Sequence, residues 1–203
     1  MFEIFAHRVL FNGIENNIKA IPYFKKLGIG IELDLRYGKN GAYISHDVID
    51  QGILFEDVCK ICFNSNIRMA LHIKEINVIK ETIRLLEKYS LNNYFLFNTE
   101  NYDLLGIINE NVVASYVTQK QNKKETNILW CDEIGEKWYT KELISELHEK
   151  NKKIYGMSLE VVKTCNENEM IREWKRLIDL GINGICTKYP ERLNMLVKEG
   201  VLN

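Results

Sequence analysis

Ile31-Glu32-Leu33-Asp34-Leu35-Arg36 alternates apolar and charged side chains without a break. A period of two belongs to a β-strand, whose successive side chains point to opposite faces. Ile31, Leu33 and Leu35 therefore share one face, and Glu32 and Asp34 share the other. An apolar strand face needs a covering layer, and the flanking segments supply it. Glu15–Leu27 reads as a helix, with Ile18, Ile21, Phe24 and Leu27 three apart and Gly28 just past its end. Leu54–Phe63 reads as a second amphipathic helix.

The same alternation of strand and helix runs through the chain. Strands are expected at Phe2–His7, Ile29–Arg36, Arg68–Ile73, Tyr94–Phe97, Val112–Val117, Ile128–Cys131, Ile154–Met157 and Gly184–Thr187, with a short extended piece at Ala42–Ser45. Further helices are expected at Val78–Tyr89, Tyr102–Ile108, Thr140–Lys150, Glu169–Leu180 and Pro190–Val197. The polar, lysine-rich stretch Thr118–Thr126 reads as a loop in place of a helix. Repeated βα units imply a parallel sheet covered on both faces. Eight of them with no break in composition point to a single domain over residues 1–203, a small (β/α)8 TIM barrel. An open doubly wound sheet satisfies the same pattern.

Bulk composition narrows the partners. Lys and Arg number 27 and Asp and Glu 28, so the net charge of −1 offers no electrostatic attraction for nucleic acid or an anionic membrane. No apolar run reaches the roughly 18 residues of a membrane span. The start Met-Phe-Glu-Ile-Phe-Ala-His-Arg shows no signal peptide, and five cysteines is an odd number, so reduced thiols and a cytoplasmic location are expected. Cys59 and Cys62 form a Cys-x-x-Cys. With no second pair, and on a helix, they read as core residues one turn apart.

In a barrel, the apolar side of Ile31–Leu35 faces the helices, and Glu32 and Asp34 face the interior near the C-terminal mouth. Two carboxylates there repel unless a positive group stands between them. A divalent cation answers this with oxygen ligands suited to Mg²⁺, Ca²⁺ or Mn²⁺. On the next strand His72 and Lys74 would point into the same mouth. His7 ends the first strand, followed by Arg8, and His46-Asp47 ends the extended piece. Three of the four histidines thus fall at C-terminal strand ends, where barrel active sites are built. The fourth, His148, sits on a charged helix face.

These residues resemble the motifs of the glycerophosphodiester phosphodiesterase family, which is similar in fold to phosphatidylinositol-specific phospholipases. The matching pieces are Ala6-His7-Arg8, Glu15-Asn16, Gly30 to Arg36, Ser45-His46-Asp47, Leu71-His72-Ile73-Lys74 and Gly184-Ile185-Cys186-Thr187-Lys188-Tyr189-Pro190-Glu191-Arg192-Leu193. The resemblance implies a barrel phosphodiesterase for a glycerophosphodiester or related headgroup-phosphate ester. His7 and His46 would be the acid/base pair, Glu32, Asp34 and His72 the ligands of one divalent metal, and Arg8 and Lys74 the phosphate contacts. Glu15, Trp130 and Asp132 are candidates for lining the substrate.

The departures from the family pattern are as informative. Val9 stands where glycine is usual, Ile14 where proline is, and Lys188 where aspartate is. His72 takes the place of a glutamate, which moves metal preference from Ca²⁺ and Mg²⁺ toward Mn²⁺ or Zn²⁺. About two dozen residues separate Asp47 from His72, so the usual cap insertion is missing and the mouth should be open. A catalytically degenerate barrel that only binds phosphate esters is the alternative these departures motivate.

Overall fold

The computed structural model describes residues 2–98, 114–117, 126–133 and 137–202. The expected helix Tyr102–Ile108 lies outside them, as do most of the loop Thr118–Thr126 and the start of the strand Val112–Val117.

The chain builds a curled α/β sheet. Its parallel strands are β1 (Glu3–Ala6), β2 (Gly30–Gly38), β5 (Met69–Ile73), β6 (Tyr94–Phe97), β7 (Ala114–Val117), β8 (Ile128–Cys131), β9 (Lys153–Met157) and β10 (Gly184–Thr187). They hydrogen-bond in the order β6-β5-β2-β1-β10-β9-β8-β7. β6 and β7 end this path, and their Cα atoms approach within 8 Å. Two short strands extend β2 at its side: β3 (Gly41–Ile44) pairs antiparallel with β2, and β4 (Ile53–Leu54) pairs antiparallel with β3. They make an arm of which the sequence pattern shows only one extended piece.

Helices cover the sheet: α1 (Ile21–Leu27), α2 (Phe55–Cys62), α3 (Val78–Lys88), α4 (Lys141–Glu149), α5 (Leu159–Val162), α6 (Glu167–Asp179) and α7 (Pro190–Lys198). No helix among the described residues is long and apolar enough to cross a membrane. Two helical boundaries differ from expectation. α1 starts at Ile21, not Glu15, because Asn16 is left-handed at φ 54° and Pro22 fits the first turn. α6 starts two residues early, where Asn166 and Glu169 close a reciprocal capping box. Helix α5, after β9, is not expected from the sequence; at four residues it is too short to carry a periodic signal.

The two faces of the sheet form separate apolar layers. Ile31, Leu33 and Leu35 pack outward with Phe24, Phe55, Val58, Cys59 and Cys62. Cys59 and Cys62 are fully buried there, and burial pushes the Cys62 thiol up to about 12, so both are packing residues. The inner face carries Phe5, Ala70, Phe95, Phe97, Trp130, Tyr155 and Cys186. Phe95 stacks on Tyr155 at 5.4 Å, and Phe5 meets Phe95, Trp130 and Tyr155 edge-on. Below this aromatic layer, Glu3 accepts from the Tyr155 hydroxyl and faces Arg68, sealing the N-terminal end. Above it, at the C-terminal end, the inner face turns polar.

Candidate functional site

Register places the polar groups. Parallel pairing sets Ala6 opposite Ile31, and Asp34 opposite His72. Glu32, Asp34 and His72 thus leave adjacent strands on the inner face, as the alternation in β2 and β5 requires. One potential ligand atom from each lies within 4.8 Å of the others. Glu32 and Asp34 are each 3% exposed. Two buried carboxylates this close need positive charge, and the donor set of two carboxylate oxygens and an imidazole fits a small divalent cation.

The protein itself supplies part of that charge. The Arg8 backbone N–H donates to Glu32 at 2.9 Å, and its Nε stands 3.1 Å from Asp34. Lys74 Nζ lies 3.4 Å from Asp34 and His72 Nδ1 lies 2.9 Å from it. Burial works against the charge on Asp34, yet the His72 hydrogen bond and the Lys74 and Arg8 cations outweigh it and hold the carboxyl below its usual range. Glu32 has less help: burial and the Asp34 charge raise it well above the usual carboxylate range. His72 is lowered by burial, with Asp34 opposing, and its ring stacks on Phe97 at 4.5 Å.

His7 follows β1 in a single turn, His7–Val9, in which Arg8 and Val9 are left-handed at φ 49° and 45°. A β-branched residue such as Val9 is strained in that region. The turn brings the Arg8 amide onto Glu32 and places His7 Nε2 4.0 Å from the same carboxylate. His7 Nδ1 is buried without a hydrogen-bond partner among the described residues. Burial, then the Arg8 charge, lowers His7 to about 3, so its ring is neutral at pH 7.

His46 comes from the arm. β3 runs back along β2, and the Ser45 amide donates to the Asp34 carbonyl, which returns the chain to the level of the carboxylates. Arg36 Nε and Nη2 hold the His46 carbonyl at 3.0 and 2.7 Å, and His46 Nδ1 pairs with Asp47 at 2.8 Å. Its side chain is 44% exposed, so His46 faces the open side of the mouth. Glu15 is exposed and pairs with Arg8 at 3.2 Å. Trp130 lies on the inner face at 1% exposure, stacked on Phe97 at 4.6 Å, and so sits beneath His72 instead of at the rim. Asp132 is buried just past β8, its carbonyl accepting from Trp138 Nε1 at 2.7 Å.

One group of polar residues has almost no signature in the sequence. Glu160 on α5 accepts from the Thr187 hydroxyl at 2.6 Å and the Lys188 amide at 3.0 Å, and also from Ser158. Ser158 in turn accepts from Trp174 Nε1 at 2.6 Å, and Lys188 Nζ returns to the Glu160 carbonyl at 2.9 Å. This network ties β9 to β10 and holds Lys188 near enough to oppose protonation of His7. The only sequence signal is the Lys188 departure itself.

A protein from Galdieria sulphuraria described as a candidate glycerophosphodiester phosphodiesterase superposes with a TM-score of 0.76 at 17% identity, over 98% of both chains. A glycerophosphoryl diester phosphodiesterase from Parabacteroides distasonis superposes at 0.63 with 12% identity, over 98% of this chain and 87% of the other. The chain shares their fold. A truncated 3-deoxy-D-arabino-heptulosonate 7-phosphate synthase from Thermotoga maritima also superposes, at 0.58 with 11% identity, over 98% of this chain and 86% of its own. No family model matches the sequence, and no curated protein matches it.

Proposed function

We propose that the protein is a metal-dependent phosphodiester hydrolase acting on a glycerophosphodiester or related headgroup-phosphate ester. The observation that carries this reading is the approach of Glu32, Asp34 and His72 within 4.8 Å, with Arg8 and Lys74 beside them. In the same reading the eight parallel strands close into one barrel domain through β6 and β7.

Glu32, Asp34 and His72 would hold the ion, which when bound would supply positive charge against the charge that develops on the phosphoryl oxygens. Arg8 and Lys74 bind and orient the phosphate from the same side. His7, 4.0 Å from Glu32, takes a proton from the attacking hydroxyl. His46, on the open side of the mouth, gives a proton to the leaving alkoxide, which leaves poorly without one. Asp47 orients that ring through Nδ1. The attacking hydroxyl belongs to water or to a neighbouring position of the substrate, and phosphorus NMR of the product separates the two by showing an open or a cyclic phosphate.

Asp34 already meets three cationic or imidazole partners, which favours the second reading, a barrel that binds phosphate esters without turning them over. The test is turnover of glycerophosphodiesters with Mg²⁺, Ca²⁺, Mn²⁺ or Zn²⁺ between pH 6 and 9, with calorimetry of each ion. Metal binding with turnover that needs both His7 and His46 supports the hydrolase. Ligand binding that survives Glu32→Ala, with no metal bound and no turnover, supports the binding module.

A further inference from the structure

A second set of cations lines a cleft that shares no residue with the mouth. The cleft, of about 410 Å³, lies between the segment before α4, the end of α5 and one face of α6. Arg172 and Arg176 border it one turn apart on α6, Lys163 and Thr164 from the link between α5 and α6, and Lys137 from ahead of α4. Arg172 and Arg176 also wall an adjoining groove of about 570 Å³ beside α4, together with Lys141 and Lys175.

Most acceptors here are already engaged. Glu173 is buried, and its two carboxylate oxygens take Arg176 Nε at 2.8 Å and Lys137 Nζ at 2.5 Å. Glu169 accepts from the Asn166 amide in the capping box, and Asp179 pairs with Lys175 at 3.1 Å. The donors are not exhausted in the same way. Glu173 and Glu133 fix Arg176 through Nε and Nη2, and its Nη1 makes no hydrogen bond among the described residues. Lys141, Lys163, Arg172 and the Thr164 hydroxyl have no partner among them either. Once the paired groups cancel, three cations stand against Glu169 alone.

We infer that this cleft binds a phosphate dianion, either inorganic phosphate or the phosphate of a phosphomonoester. A phosphate presents acceptor oxygens on every side. Arg176, held in place with one edge free, and Arg172 offer guanidinium donors that match them, and Lys163 adds a point charge. The Thr164 hydroxyl adds a donor that can turn toward the ligand. A cleft of this volume takes a small molecule. The inference does not rest on the phosphodiesterase reading, because no residue of the cleft takes part in that chemistry.

The test is a backbone-amide NMR titration with inorganic phosphate and with glycerol 3-phosphate, using sodium chloride of matched ionic strength as the blank. Amides of residues 163–164 and 172–176 should move along one saturating curve with phosphate and stay in place with chloride. The double variant Lys163→Gln, Arg172→Gln should bind at least about tenfold more weakly at these amides, while Lys26→Gln on α1 should bind like the wild type. Both replaced side chains are exposed and unpaired, so the variant should fold, which thermal unfolding checks. Each single variant gives the same comparison if the double one does not fold. Equal affinity for the two ligands identifies free phosphate as sufficient, and tighter binding of the ester identifies a phosphomonoester. No movement of these amides, the same movement with chloride, or undiminished binding by the double variant overturns the inference. Cleft binding without phosphodiester turnover keeps this site and removes the hydrolase. Turnover without cleft binding does the reverse.

Discussion

His72 Nδ1 stands 2.9 Å from Asp34 Oδ1 because parallel register sets the two residues directly opposite on β2 and β5. That pairing holds the imidazole beside the two carboxylates that would ligate the ion. His72→Glu should therefore shift preference from Mn²⁺ or Zn²⁺ toward Mg²⁺ or Ca²⁺. Calorimetric titration of the four ions against both proteins checks it, and an unchanged order would remove His72 from the ligand set. The same change gives up the Phe97 stack, for a loss of about 1 kcal/mol in unfolding.

His7 and His46 reach the mouth from different sides, one buried after β1 and one exposed on the arm. In the proposed chemistry each moves a different proton. His7→Ala and His46→Ala should each lower kcat by about 10²–10⁴-fold. His46→Ala should be rescued in part by substrates with an acidic leaving alcohol, which needs no proton, whereas His7→Ala should not. Rescue of both or of neither would contradict the assignment.

How much of the molecule is legible in its sequence depends on which residues carry a period. β2 alternates, so pattern alone separates its inner and outer faces, and register then brings Asp34 to His72. Ile128-Leu129-Trp130-Cys131 is apolar throughout, so no alternation marks the face taken by Trp130, and it proves to be the inner one. The arm is hidden for another reason. It depends on the tight turn between Gly38 and Gly41 and on Arg36 reaching ten residues along the chain to the His46 carbonyl. The Glu160 network joins residues 27 and 28 positions apart through single side chains, a pairing that no periodicity encodes.

Gly184 opens β10 opposite Glu3 of β1. A Cβ there would overlap the Glu3 carbonyl, a backbone group that cannot turn aside. Gly184→Ala should therefore force β1 and β10 apart and destabilise the protein by about 1–3 kcal/mol. Denaturant unfolding measures this as a lower midpoint with an unchanged slope. Because His7 and Lys188 directly follow these two strands, phosphate binding by the folded fraction should weaken as well. An unchanged midpoint would mean that the strands have slack at this pair.

The metal-free site makes stability depend on pH in two opposite ways. His7 is lowered from its ordinary value to about 3, so its contribution is complete above pH 6.5 and is lost as pH falls toward 3. Glu32 is raised by burial beside Asp34, so its contribution is complete below the ordinary carboxylate value and is lost as pH rises through the raised one. A divalent cation between the carboxylates opposes the second effect by favouring the charged form of Glu32. The rise in Tm on adding metal should therefore grow with pH. At about 100-fold excess over Kd it should reach roughly 5–10 °C near neutrality. In Glu32→Gln the metal-free protein should lose its destabilisation at rising pH, and the metal-induced shift should shrink. Thermal melts of both proteins with and without Mn²⁺ across pH 5 to 9 measure each effect, and a metal shift that falls as pH rises would place the ion elsewhere than on Glu32.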